Sequence, residues 1–271
     1  MFGKLSTPLV IAVMLAASSC VCSGQQTGND ATSSGTPGQV KKPEELKFRP
    51  ASFCFVRIKY SGRPGSSSWA IDYPDADVNF SARFQKATGL KADAKGRVQQ
   101  LTEPDLQQYP FIYIAEGGNM ELSPEEVVGL RRYLLGGGFL MVDDFWGERE
   151  WEGFRAQMKR AFPEREPVDL AIEHPVFHCF YDIREKPQVP NVALGIQSQT
   201  TGITWERDDA KEPHYRGLYD DKGRLMAIFC HNTDLGDGWE YEGENEYYFR
   251  EFSLKKAYPM GINIVVYALT H

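Results

Sequence analysis

The run GGGFLMVDDF at residues 136–145 constrains the fold more than any other part of the chain. Its four central residues, Phe139 to Val142, are all apolar, with three glycines before them and two carboxylates after. Such a strand has no polar face to turn towards water. That is the situation of a central strand in a parallel sheet covered by helices on both sides. The residues just upstream read as the matching helix. Ser123 and Glu126 are spaced as a capping box, Pro124 takes the first helical position, and Val127, Leu130 and Leu134 recur on one face. The glycines at 136–138 then supply the left-handed residue with which helices commonly end.

The same alternation runs through the rest of the body. Residues 53–60 read as an opening strand, residues 61–68 as a Gly/Ser loop, and residues 77–88 as a helix carrying Phe80, Phe84 and Ala87 and stopped by Gly89. Short strands are expected at 97–101, 111–115 and 168–172, and a helix carrying Trp151, Phe154, Met158 and Ala161 between the last two. Residues 215–219 and 224–230 flank Asp220-Asp221-Lys222-Gly223 as a hairpin, and residues 257–269 form a closing apolar helix. Repeated βα units predict an α/β fold: a doubly wound, mainly parallel sheet in a three-layer sandwich. Residues 48–271 are read as one domain.

Composition narrows the partners. Hydrophobic residues make up 42% and charged residues 25% of the 271, which excludes a disordered or multi-span chain. A net charge of −7, with no Lys/Arg run longer than two, argues against nucleic acid. Five cysteines are too few for a disulfide scaffold, and sequence leaves open whether any two of Cys54, Cys179 and Cys230 pair. At the N-terminus, Lys4 precedes an apolar stretch at 5–17, so residues 1–23 are expected to be a secretory signal. Ala17-Ser18-Ser19-Cys20 is similar to a bacterial lipobox without its usual leucine, which makes Cys20 a candidate lipidation site; release by cleavage near residues 23–24 is the competing expectation. Residues 24–47, rich in Gly, Ser, Thr and Pro, read as a disordered tether. The expected address is outside the cytoplasm, periplasmic or lipid-anchored, with contact to membrane through that anchor alone.

Several motifs carry a family resemblance. Ile71-Asp72-Tyr73-Pro74, Tyr109-Pro110-Phe111-Ile112-Tyr113, the 136–145 run, His174-Pro175-Val176-Phe177, Gly223-Arg224-Leu225 and the apolar residues 261–269 stand in an order that resembles the bacterial domain of unknown function 4159. The resemblance implies a flavodoxin-like fold similar to class I glutamine amidotransferases and, more distantly, to ThuA-like proteins. It carries no established reaction. Amidotransferases place a nucleophilic cysteine on an elbow after a central strand, whereas this chain has Asp143-Asp144 there, and fold alone does not transfer an activity.

In doubly wound sheets ligands sit beyond the carboxyl ends of the strands. That rule selects Glu116 and Asn119, then Asp143 and Asp144, then His231, Asn232, Asp234 and Trp239; Asp72 and Tyr73 edge the same region. Asp143, Asp144 and His231 are the candidate catalytic residues, one carboxylate serving as base or hard-metal ligand and the imidazole as its acid or base partner. Because neighbouring strand residues point to opposite faces, only one of the two aspartates is expected in the crevice. The others are candidate ligand-binding residues for a polar molecule such as a sugar. His174 and His178 are read as a structural His-Pro turn, and the Tyr-rich residues 241–252 as a surface loop packing its aromatics against the sheet, with a partner or glycan surface as the alternative. No cofactor and no metal set is assigned. The leading expectation is an exported cell-envelope binding or accessory module whose partner is an unknown envelope protein or polar small molecule. The alternatives are a carboxylate- or metal-dependent hydrolase or isomerase on a carbohydrate-like ligand, and a structural partner in an envelope complex.

Overall fold

The computed structural model describes residues 52–62 and 68–271, so the expected signal, Cys20 and the tether lie outside the described residues. Seven strands form one sheet: β1 (Val56–Ile58), β2 (Arg97–Gln99), β3 (Phe111–Ile114), β4 (Phe139–Val142), β5 (Val168–Asp169), β6 (His214–Tyr219) and β7 (Leu225–His231), in the order β2-β1-β3-β4-β7-β6-β5. β1 to β4 and β7 run parallel, while β6 is antiparallel to both of its neighbours. The chain builds outward from β1 to β2, then returns to place β3 on the other side. The gap between β1 and β3 is therefore a topological switch point.

The helices are α1 (Asp75–Thr88), α2 (Pro124–Leu135), α3 (Gly147–Ala161), α4 (Val192–Thr201), α5 (Leu235–Glu240), α6 (Glu246–Tyr248) and α7 (Tyr258–Thr270), with a π-helical run at Phe249–Ala257 between the last two. The pleat sorts alternate strand residues into two cores. Phe111, Tyr113, Phe139, Met141, Ile228 and Cys230 join Phe80 of α1, Trp239 of α5 and Ile264 of α7 on one face. Ile112, Ile114, Leu140, Val142 and Phe229 join Leu130 of α2 and Phe154 of α3 on the other. The capping box at Ser123 forms as the sequence implies, with Ser123 accepting from the Glu126 amide and Glu126 accepting from the Ser123 amide. Gly89 and Gly137 take the left-handed conformation at the ends of α1 and α2.

Some expectations change. The strand expected at 168–172 is two exposed residues long, because after Asp169 the chain turns towards the His174 turn. The Tyr-rich residues 241–252 pack aromatics inward as expected, with Tyr248 and Phe252 buried, but from Glu246 onward they are helical and not a loop, because burial of that face overrides the scattered acidic residues around them. Neither Asp143 nor Asp144 caps α3, whose first amides are taken by Glu150 and Asn232. His174 does cap a turn, accepting from the Val176 amide at 3.2 Å, and Cys54, Cys179 and Cys230 are all free thiols.

Gly129 lets α2 approach the loop after β2. A Cβ there would lie 2.0 Å from the Leu101 carbonyl oxygen and 2.8 Å from its carbon. Alanine gains up to about 1 kcal/mol of helix propensity. Overpacking against rigid backbone costs about 1–3 kcal/mol, so the clash wins. Gly129→Ala is expected to lower the urea midpoint; a midpoint at or above wild type would refute this packing.

Candidate functional site at the switch point

Four of the five parallel strands, all but β2, end in a loop that contributes a non-glycine residue at positive φ. Asp72 follows β1 at 62°, Glu116 follows β3 at 47°, Asp144 follows β4 at 55° and Asn232 follows β7 at 62°. These are the only non-glycine residues in that conformation among the described residues, and all four stand at the carboxyl end of the sheet. Left-handed backbone costs a side-chain-bearing residue of order 1 kcal/mol or more, and such strain gathers where a site must be shaped.

The result is a group of buried carboxylates. Asp143 is fully buried, and its Oδ2 accepts from the Gly236 amide at 3.0 Å and the Tyr113 hydroxyl at 3.4 Å. Asp234 caps α5, its Oδ1 accepting from the Asp237 amide at 2.8 Å, and Asp237 Oδ2 accepts from the Val192 amide at 2.8 Å. Asp72, Asp234 and Asp237 each offer an oxygen within 4.8 Å of the others'. Asp144, half-open to solvent, accepts from the Trp146 indole at 3.3 Å. Burial first, and then the neighbouring charges, hold these groups above the usual carboxylate range. Asp143 is pushed up to about 8 by burial, against the pull of the Gly236 amide. Asp237 is pushed up to about 6 by burial, with Glu240 and Glu206 adding to it. Asp72, Asp144 and Asp234 are raised well above the ordinary value by burial and by one another's charge.

Arg57 is the cation nearest in role, but it is committed to Asp77 at 2.6 Å. Among the described residues, no Lys or Arg forms an ion pair with Asp72, Asp143, Asp144, Asp234 or Asp237.

The structure therefore brings Asp72, Asp143, Asp144 and Asp234 together, with Glu116 close enough to raise Asp144. Glu116 itself accepts from the Asn119 amide group at 3.1 Å. Tyr73, 42% exposed, stands at the rim beside Trp69. Asn232 is buried in a structural role, accepting from the Gly147 amide and donating to the Glu212 carbonyl. Trp239 is a core residue, fully buried with its ring 4.6 Å from that of Phe80.

His231 is held apart from the carboxylates. It lies on the α3 face, its ring 5.1 Å from that of Phe145 and 5.5 Å from that of Trp151. Nδ1 accepts from the Arg216 guanidinium at 2.7 Å, so Nε2 carries the hydrogen donated to the Gly147 carbonyl at 3.1 Å. Burial, and then the Arg216 charge, lower its pKa to about 3, which makes it neutral.

Sequence reading missed Asp237, Tyr113 and Gly236. The Asp-x-x-Asp spacing of Asp234 and Asp237 was a usable signal, since an Asp N-cap followed by an acid in the first turn marks a helix start. Tyr113 was hidden inside an apolar strand. No curated protein matches the chain. The family model described as a domain of unknown function, DUF4159, matches residues 54–269, and the chain belongs to that family.

Proposed function

We propose that the chain is a binding or accessory module of the cell envelope, with an amidotransferase-like fold that lacks the nucleophile and a ligand site at the switch-point carboxylates. The observation that carries this reading is the position of His231. An acid–base pair needs its members within hydrogen-bond reach, directly or through one water. His231 spends both ring nitrogens on Arg216 and Gly147, on the side of the sheet facing α3. The strand order around β1 and β3 supports the fold assignment, and the aspartates in place of an elbow cysteine support the missing nucleophile. The apolar N-terminal stretch and the Gly/Ser-rich residues after it support export.

The burial of the carboxylates favours a small ligand over a sugar ring. Asp72, Asp234 and Asp237 are 5%, 4% and 8% exposed, too closed for a pyranose to reach all three. A second reading, a carboxylate-driven hydrolase, draws on one specific feature: Asp144 is partly open and its pKa is raised, as a general acid requires.

The test is a turnover screen of the full chain on aryl glycosides, aryl esters and glutamine, beside Asp144→Asn. Rates indistinguishable from Asp144→Asn are expected throughout. Turnover that falls at least tenfold in Asp144→Asn would overturn the module reading in favour of the hydrolase.

A further inference from the structure

We propose that Asp72, Asp234 and Asp237 bind a hard divalent cation at the switch point. This rests on reading the crevice as a ligand site, and it names the ligand.

Three observations converge. First, the three carboxylates come from two separate segments, the loop after β1 and the start of α5, yet each offers an oxygen within 4.8 Å of the other two. With metal–oxygen bonds of about 2.0–2.6 Å, neighbouring oxygens in the shell of Mg²⁺ or Ca²⁺ fall within that separation.

Second, Asp72 is buried and its Oδ2 accepts no hydrogen bond from a backbone amide, hydroxyl or cationic side chain. That oxygen faces the cluster. The point where Gly236 would carry a Cβ lies 2.3 Å from Asp72 Oδ2 and 3.4 Å from Asp234 Oδ1. A buried acceptor without a donor costs about 1–3 kcal/mol, and more when charged. Oδ1 of Asp143, behind the same glycine, is also buried without a partner.

Third, no Lys or Arg forms an ion pair with the three carboxylates, because Arg57 is already paired with Asp77. Buried carboxylates that no side chain pairs either take up a proton or coordinate a metal. Gly236 contributes by having no side chain: any Cβ would occupy the space between Asp72 and Asp234.

The full chain, stripped with chelator and dialysed, should take up one Ca²⁺ per chain by equilibrium dialysis with elemental analysis. Its melting temperature should rise with added CaCl₂ or MgCl₂. Asp72→Asn and Asp237→Asn should each weaken Ca²⁺ uptake at least tenfold. Without metal, both variants should melt at or above the wild-type temperature, because each removes a repelling charge while keeping an amide oxygen as acceptor. That last readout separates a ligand role from a purely structural one. No uptake of either cation by folded wild type overturns the proposal and leaves the module reading standing. Uptake unchanged in both variants assigns the ion to another surface and overturns it as well. Turnover in the substrate screen overturns the module reading alone.

Discussion

Arg57→Ala is expected to cost about 3–5 kcal/mol, the range for removing one partner of a buried ion pair. Arg57 and Asp77 are both fully buried, and they meet in a forked arrangement: Nε lies 3.0 and 3.1 Å from the two carboxylate oxygens, and Nη2 lies 2.6 Å from Oδ1. Burial alone would push Asp77 up, and Arg57 is the group that pulls it back. Truncation leaves that carboxylate charged and unpaired, or neutral and stripped of its donors. The remaining guanidinium nitrogen donates to the Ile71 carbonyl at 2.9 Å and the Trp69 carbonyl at 3.3 Å, which fixes the residues just ahead of Asp72. For a domain of this size about 1 kcal/mol corresponds to about 2–4 °C, so a drop of roughly 6–20 °C in Tm is expected. Arg57→Met with Asp77→Leu should recover most of it, because replacing a buried pair by apolar residues is often close to neutral. A single variant melting within about 2 °C of wild type would show that water reaches the pair.

Arg57 also shows where the sequence was legible and where it was not. The strands that sit under two layers of helix were readable, since burial on both faces removes the polar residues that blur a pattern. β4 is Phe139–Val142 in both readings, and β3 differs by one residue. α2 was readable because its start is built from local contacts, the reciprocal bonds between Ser123 and Glu126. Arg57 was not, because a charged residue inside an apolar strand announces nothing about its partner 20 positions on. α4 and α5 were missed for a related reason. α4 carries Gly195 and five consecutive polar residues, Gln197 to Thr201, and holds its place by packing Gly195 against Tyr248. α5 has Gly236 and Gly238 in six residues, and is held by Asp234 at its cap and Trp239 in the core. Tertiary burial outweighs weak helix propensity in both.

The candidate site followed the same division. The strand-end rule selected three loops, with Asp72 and Tyr73 placed at their edge, since that rule depends on topology alone. Alternation was the basis for expecting only one of Asp143 and Asp144 in the crevice. Alternation holds only while the backbone stays extended, and Asp144 at φ 55° ends it, so both carboxylates fall within electrostatic reach of Asp72 and Asp234. His231, by contrast, is still in β7, keeps its alternation, and is carried to the opposite face with Phe229.

That placement makes His231 an acid-sensitive point. The ring titrates near 6.5 when unfolded and near 3 in the folded chain, where burial and the Arg216 cation both oppose a second charge. The folded state thus binds fewer protons between these values. Stability from this group is complete above pH 6.5 and is lost as pH falls towards 3. At about 1.4 kcal/mol per unit, the loss is about 2 kcal/mol by pH 5 and approaches about 4–5 kcal/mol below pH 3. His214 adds slightly to the opposition and Asp209 slightly relieves it. The buried aspartates act in the reverse sense, since a raised carboxylate favours the folded state at lower pH, so wild type alone cannot isolate the histidine. His231→Gln can, because its amide offers an acceptor to Arg216 and a donor to the Gly147 carbonyl without titrating. Urea-unfolding free energies of the two proteins from pH 7.5 to 4 should therefore diverge, with wild type losing ground to the variant by about 2 kcal/mol at pH 5. The aspartate contributions are common to both and cancel in the difference. Parallel profiles, or wild type gaining on the variant as pH falls, would mean that the imidazole is not held between Arg216 and Gly147.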